Sequence, residues 1–184
     1  MGRNVEIKAV LRDMENARRR AAVLSGSDGE RIDQRDTFFN TTRGRLKLRA
    51  FTDGSGQLIY YERPDVRGPK TSTFSIAPTP DADAMCRVLS EAFGVRAEVS
   101  KVRSLFLVGQ TRIHIDRVEG LGDFLELEVV LDDAQSESDG AGIAAELMRK
   151  LGVDDSQLVH GAYVDLIESA RGKGSDRRLD DAGG

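Results

Sequence analysis

A chain of 184 residues, 39% apolar and 32% charged, is long enough for one domain with a buried core and is polar for its size. A net charge of −4 argues against a general nucleic-acid binder, a single cysteine excludes an internal disulfide framework, and no apolar run nears the roughly 20 residues of a membrane span. With a start, Met1-Gly2-Arg3-Asn4, that runs straight into a strand pattern rather than a signal peptide, the expected location is the reducing cytoplasm.

The first element, Asn4-Val5-Glu6-Ile7-Lys8-Ala9, alternates, so Glu6 and Lys8 share one strand face and Val5, Ile7 and Ala9 the other. Asp13 is placed to cap a helix over about 14–24, with Ala17, Ala21 and Leu24 on one side, and the run Ser25 to Gly29 ends it. A strand over 31–40 leads through the turn Thr42-Arg43-Gly44 into 45–52, where Arg45, Lys47 and Arg49 fall on one face. Asp53-Gly54-Ser55-Gly56 is a hairpin turn, and the returning strand, Leu58 to Tyr61, stops before Pro64. The loop 64–70, with Gly68 and Pro69, is expected to be exposed and mobile, and 71–77 alternate as a strand.

Pro80 then opens a helix to Phe93, with Met85, Val88, Leu89, Ala92 and Phe93 on its buried side and Gly94 as its C-cap. Strands follow at 98–108, with Lys101 and Arg103 on one face, and at 111–118, with Arg112, His114 and Asp116 opposite Ile113 and Ile115. The next strand, 123–132, sets Glu126 and Glu128 opposite Leu127. Ser136 caps a helix that ends near Leu151-Gly152 on an Ile143, Leu147 and Leu151 stripe, and a short helix covers about 157–169. Residues 1–170 read as one domain; 171–184 are polar and glycine-rich and are expected to be disordered.

Eight strands joined by hairpin-length turns make an antiparallel sheet, which at that size splits, curls or closes. A face carrying Arg45, Lys47 and Arg49 cannot be a dry core. The expectation is therefore an α+β fold built on a closed eight-stranded antiparallel β-barrel, with apolar strand faces turned outward under the helices and charge within.

Three cations two residues apart suit either the wet face of a half-exposed sheet or a lining for phosphate; like charges this dense are tolerated where something anionic sits among them. Glu126, Glu128, Asp116 and Glu6 together would form an all-oxygen set for a hard divalent ion such as magnesium or manganese, though surface acid on an acidic protein explains each singly. The two charges are segregated along the chain: seven basic residues against three acidic from Arg43 to Lys70, and nine acidic with none basic from Glu119 to Met148. This suits two walls of one site, and cations for phosphate with carboxylates for metal are what phosphoryl transfer requires. His114 and His160 are too few for zinc, although His114 shares the polar stripe; Cys86 reads as core; no Walker motif is present; and Phe38, Phe39, Tyr60 and Tyr61 read as packing.

In order, Asn4-Val5-Glu6-Ile7-Lys8, Gly44-Arg45-Leu46-Lys47-Leu48-Arg49, Lys101-Val102-Arg103, Arg112 to Asp116, Glu126-Leu127-Glu128 and Tyr163-Val164-Asp165-Leu166 resemble the CYTH superfamily, named for class IV adenylyl cyclase and thiamine triphosphatase. The resemblance spans about residues 3–170 and is nearest to the class IV cyclase-like branch. It implies a tunnel that binds a nucleoside or other organic triphosphate with Mg2+ or Mn2+, no nucleic acid or membrane partner, and, as in many family members, a homodimer. Carried over by position, Lys8, Arg45, Lys47, Arg49, Arg63, Lys101, Arg103 and Arg112 bind substrate, Glu6, Asp116, Glu126 and Glu128 bind metal, and Glu6 with Lys8 are catalytic. The first glutamate of the family's Glu-x-Glu-x-Lys strand is Asn4 here, and the His-Phe found just ahead of it in established class IV cyclases has no counterpart. Adenylate cyclase, phosphohydrolase of thiamine or inorganic triphosphate, and non-catalytic nucleotide sensor all remain open, as does whether Glu62 or Arg63 faces inward, with Arg63 carried forward.

Overall fold

A computed structural model describes residues 2–64, 66 and 68–176. The strands are β1 (Gly2–Val10), β2 (Glu30–Phe39), β3 (Arg45–Ala50), β4 (Gly56–Glu62), β5 (Lys70–Thr79), β6 (Val95–Val108), β7 (Thr111–Val118) and β8 (Gly122–Val130). They close into a barrel in the order β1-β5-β4-β3-β2-β6-β7-β8, β8 pairing back to β1, and every pairing is antiparallel. The helices α1 (Met14–Ser25), α2 (Ala82–Phe93), α3 (Glu137–Leu151) and α4 (Tyr163–Asp176) lie around it. None is long and apolar enough to cross a membrane.

Local chemistry fixes the ends. The Asp13 side chain accepts from Asn16 N at 2.9 Å, and Gly26 closes α1 in the left-handed region. Asp81, not Pro80, caps α2. Ser136 and Asp139 form a reciprocal capping box on α3. The tight β6–β7 turn rests on Gly109, whose φ of 56° a side chain would disfavour.

The barrel is greasy outside. Val5, Ile7 and Ala9 of β1, Ile113 and Ile115 of β7, and Leu125, Leu127 and Val129 of β8 pack beneath Ala17 and Ala21 of α1 and Ala144, Leu147, Met148 and Leu151 of α3. Gly140 lets α3 approach: a Cβ there would lie 2.6 Å from Val5 Cγ2. A second cluster, Phe39, Leu48 and Leu89 with Met85 and Cys86, seats α2 on β2 and β3. The third is at one end of the barrel, where Phe38, Ile59, Tyr61, Val99 and Phe124 meet Tyr163 from the first turn of α4.

Four expectations are corrected. Val88 and Phe93 of α2 are 63% and 47% exposed, and Ala92 is exposed as well, because the face that meets the sheet runs through Ala82, Met85, Cys86 and Leu89. Lys70 is not in an exposed loop; it opens β5, opposite Glu6, and is buried (Asp65 and Arg67 lie outside the described residues). β6 begins at Val95, pairing early with β2. The last helix starts at Tyr163 after a 3-10 turn at 155–157 and runs to Asp176, past the expected start of the polar tail; 177–184 lie outside the described residues.

Candidate functional site

Alternation sends one polar set inward from each strand, and together they line a cavity of about 380 Å³. It takes Asn4, Glu6 and Lys8 from β1, Gln34 and Asp36 from β2, Lys47 and Arg49 from β3, Ser72 from β5, Lys101 and Arg103 from β6, Arg112 and His114 from β7, and Glu126 and Glu128 from β8. Arg63, just past β4, completes the wall. Glu62 points outward to Arg43 and Tyr60, so Arg63 is the inward member of that pair.

The cavity is polarised along its axis. At one end Tyr163 inserts from α4 among Phe38, Tyr61, Val99 and Phe124 and plugs it. At the other, Ile32, Phe51, Ile76 and Leu105 rim an open mouth beside Arg112 and Gln57. Lys8, Lys47 and Lys101 stand toward the plug; Glu6 and Glu128 stand one inward position closer to the mouth on their strands.

Buried charge must be paired, and here it is. Asp36 accepts from Lys47 Nζ at 2.8 Å and from Arg49 at 2.8 and 3.0 Å. Asp116, fully buried, is held in a fork by Arg103 at 2.7 and 2.6 Å, by Lys101 at 3.3 Å and by the Tyr163 hydroxyl at 2.9 Å. Arg103 also donates to Glu126 at 2.8 Å. Lys8 Nζ lies 3.0 Å from Glu126 and 3.3 Å above the centre of the Tyr163 ring, a cation–π contact that holds the plug to β1. Arg63 donates to Glu6 and, at 3.0 Å, to the Gly161 carbonyl.

These environments shift proton affinities. Burial, with Arg103 beside it, pushes Lys101 down to about 7; burial, with Arg63 and Lys8, pushes Lys70 down to about 8. Burial raises the Glu6 carboxyl despite the opposing pull of Arg63. Burial would raise Asp36 too, but Arg49 and Lys47 win and hold it well below the carboxylate range. Burial and Arg103 keep His114 toward its neutral form.

Among the described residues seven cationic side chains and four carboxylates line the cavity, with Asp116 behind them, and the remaining excess of positive charge suits an anion. The expected separation into a cationic and an acidic wall is only partial, since Asp36 sits between the cations of β3 and Lys8 sits among the carboxylates. Arg45 shares a strand face with Lys47 and Arg49 but lies beyond the plug, bonded to Asp165 at 2.9 Å in an outer depression. Arg112 is at the mouth, half exposed, 3.4 Å from Glu128.

One atom of each of His114, Glu126 and Glu128 falls within 4.8 Å of the others, a grouping that fits a divalent cation. Asp116 and Glu6 stand outside it, committed to their cations. His114 supplies the telling detail: its Nδ1 is buried, has no hydrogen-bond partner among the described residues and faces the two carboxylates. Sequence reasoning missed Asp36, Lys70 and Tyr163. Asp36 lies inside the expected 31–40 strand, to which no inward polar face was assigned, Lys70 was assigned to a loop, and only the Tyr163 segment carried a signal, as the last element of the resemblance.

A CYTH domain model matches residues 2–163. The adenylate cyclase CyaB of Aeromonas hydrophila is 28% identical over 145 residues, 74% of this chain and 73% of that protein. Among solved structures, the PH1012 protein from Pyrococcus horikoshii OT3 superposes with a TM-score of 0.78 at 22% identity, over 89% of this chain and 98% of that one. A conserved hypothetical protein from Pyrococcus furiosus gives 0.78 at 21% identity, over 89% and 99%. With the barrel, its inward charges and the match from β1 to the plug all in agreement, the chain belongs to the CYTH domain family.

Proposed function

We propose that this protein is a metal-dependent enzyme that draws an organic triphosphate into the tunnel, terminal phosphate first, and that its reaction is that of an adenylate cyclase: ATP to cyclic AMP and pyrophosphate. The supporting observation is the polarity of the cavity along its axis. Cations crowd the plugged end, carboxylates stand midway, and apolar side chains rim the mouth. An inorganic tripolyphosphate has no use for an apolar rim; a base or other organic group does. The similarity to the Aeromonas cyclase points the same way.

In this reading Lys8, Lys47, Arg49, Lys101 and Arg103 neutralise the β- and γ-phosphoryl oxygens and so stabilise the departing pyrophosphate. Arg112, at the mouth, binds nearer the α-phosphate, and Arg63, tied to the Gly161 carbonyl beside the plug, joins the cations at the terminal phosphate. Glu126 and Glu128 would hold the divalent ion, which when bound polarises phosphoryl oxygens. Asp116 touches no phosphate; it fixes Lys101 and Arg103 in place. The ribose 3′-hydroxyl oxygen attacks the α-phosphorus, its proton passes to Glu6, and the bond to the bridging oxygen breaks. Burial raises Glu6, which makes it the better proton acceptor.

Incubation with ATP and Mg2+ or Mn2+, followed by product separation, tests this. Cyclic AMP with equimolar pyrophosphate supports it. ADP with phosphate overturns the cyclase assignment in favour of a phosphohydrolase, with thiamine triphosphate and tripolyphosphate the next substrates to try. Tight binding with no product from any of these marks a nucleotide sensor.

A further inference from the structure

His114 is 4% exposed, and its Nδ1 has no hydrogen-bond partner among the described residues. The nearest acceptors are Glu128 Oε1 at 3.6 Å and Glu126 Oε2 at 3.9 Å, too far for hydrogen bonds and spaced as if around something between them. Register puts them there: His114 pairs directly with Glu126 across β7 and β8, and Glu128 is the next inward residue along β8. Glu128 meets Arg112 through Oε2 and leaves Oε1 toward the ring. Glu126 accepts from Lys8 and Arg103, but each carboxylate oxygen has a second lone pair. Further along β1, Asn4 offers a neutral amide where the family's hallmark has an acid, and its Oδ1 is also buried without a partner.

An imidazole nitrogen with two carboxylates is a mixed donor set. Mg2+ takes oxygen ligands and sheds its water reluctantly; Mn2+, Co2+ and Zn2+ accept nitrogen and oxygen together. We propose that His114 Nδ1 is a metal ligand beside Glu126 and Glu128, and that this site selects a divalent transition-metal ion over Mg2+. The proposal deepens the reading of the tunnel as a metal-assisted triphosphate site and rests on it for its purpose, while the binding itself is measurable without substrate.

The experiment uses the full chain without nucleotide. Mn2+ and Mg2+ are titrated by calorimetry, and bound Mn2+ is examined by electron spin-echo spectroscopy on unlabelled protein and on protein with 15N-labelled histidine. The expected result is Mn2+ affinity at least tenfold above Mg2+, with nitrogen modulation that changes on labelling. H114Q is expected to lose about tenfold or more in Mn2+ affinity and the modulation with it, while Mg2+ affinity moves less than threefold. Bound Mn2+ with no histidine nitrogen coupling, or equal losses for both ions in H114Q, overturns the assignment. The labelling comparison on the unmodified protein decides the matter even where H114Q does not fold. Tripolyphosphate binding, measured in parallel, separates the two readings: nitrogen-coupled Mn2+ without tripolyphosphate affinity keeps the metal site and sinks the enzyme reading, and tripolyphosphate affinity supported equally by Mg2+ without nitrogen coupling does the reverse.

Discussion

Asp36→Asn is the sharpest probe of the tunnel's electrostatics because one change has opposite effects on stability and on binding. Asp36 is 2% exposed and accepts three hydrogen bonds from Lys47 and Arg49. The amide keeps the shape and removes the charge. Breaking a buried pair of this kind costs about 3–5 kcal/mol, because two cations are left in a low-dielectric site. For a chain of this length that lowers Tm by about 6–20 °C. The same change removes a negative charge from beside the phosphate-binding cations. By Coulomb's law at an effective dielectric constant of about 20, over roughly 6–10 Å, this is worth about 1.7–2.8 kcal/mol of tighter anion binding, a factor of roughly 15 to 100. Saturating tripolyphosphate should therefore restore the variant by about 2 kcal/mol more than it stabilises the unmodified protein, closing around half the gap. The assay is thermal unfolding with and without tripolyphosphate, against sulfate at matched ionic strength, with affinities by calorimetry. A pH series adds a check: Asp36 is held well below its usual value of 3.8, so its contribution is fully present above about pH 4 and is lost as pH falls further. A folded D36N with unchanged or weaker tripolyphosphate affinity, or one rescued equally by sulfate, refutes the reasoning.

Other predictions follow from the same geometry. Lys101 and Lys70, held down to about 7 and about 8, are partly neutral in the free protein near pH 7.5, and a bound anion raises both. Tripolyphosphate binding should take up protons there, with affinity greatest below pH 7 and falling as pH rises through the bound values; calorimetry in buffers of different ionisation enthalpy reads the uptake, and none at all contradicts phosphate contact by Lys101, the one of the two that lines the cavity. In R63Q the Glu6 carboxyl loses the cation that opposes its burial, so the acidic limb of the pH–rate profile should move up by about 1–3 pH units; an unmoved limb removes Glu6 as the proton acceptor. F51A removes part of the apolar rim and should weaken ATP binding about tenfold, as the loss of about 1–2 kcal/mol of apolar contact requires, while tripolyphosphate affinity stays within twofold; equal losses for the two ligands mean that the rim does not meet the organic group.

The barrel was legible because period-two alternation repeats on almost every strand and hairpin turns forbid parallel pairing. Arg45-Leu46-Lys47-Leu48-Arg49 told which way the sheet faces, since three cations cannot line a dry core. What alternation could not convey is where along the axis each inward residue ends up. Arg45 has the same orientation as Lys47 and Arg49, but two residues of rise and the Tyr163 plug put it outside the cavity. Nor could it show which charges cancel: Asp36 sits inside the expected 31–40 strand with nothing to mark its partner, and only the β2–β3 register brings it opposite Arg49. The burial of Lys70 was hidden by Gly68 and Pro69, whose turn chemistry is real but ends one residue earlier than a loop reading assumes.

A tunnel whose charges are already paired raises the question of how it can bind an anion at all. Forked arginines answer part of it, because a guanidinium engaged with one carboxylate retains N–H donors for a phosphate. Arg103 shows the limit: it serves Asp116 and Glu126 at once and has little left to offer. A divalent ion bound as proposed would change that balance. Glu126 is the carboxylate that both Lys8 and Arg103 touch, and Glu128 is the one that Arg112 touches. An ion that drew these two carboxylates toward itself would weaken their hold on three cations and free those cations for phosphate oxygens. On the proposed function, metal and triphosphate would then favour each other through these carboxylates, before any direct contact between them, and linkage would require the effect to be equal in both directions. Asp36 and Asp116 stand outside this exchange, and so they keep Lys47, Arg49 and Lys101 in position whether or not the tunnel is filled.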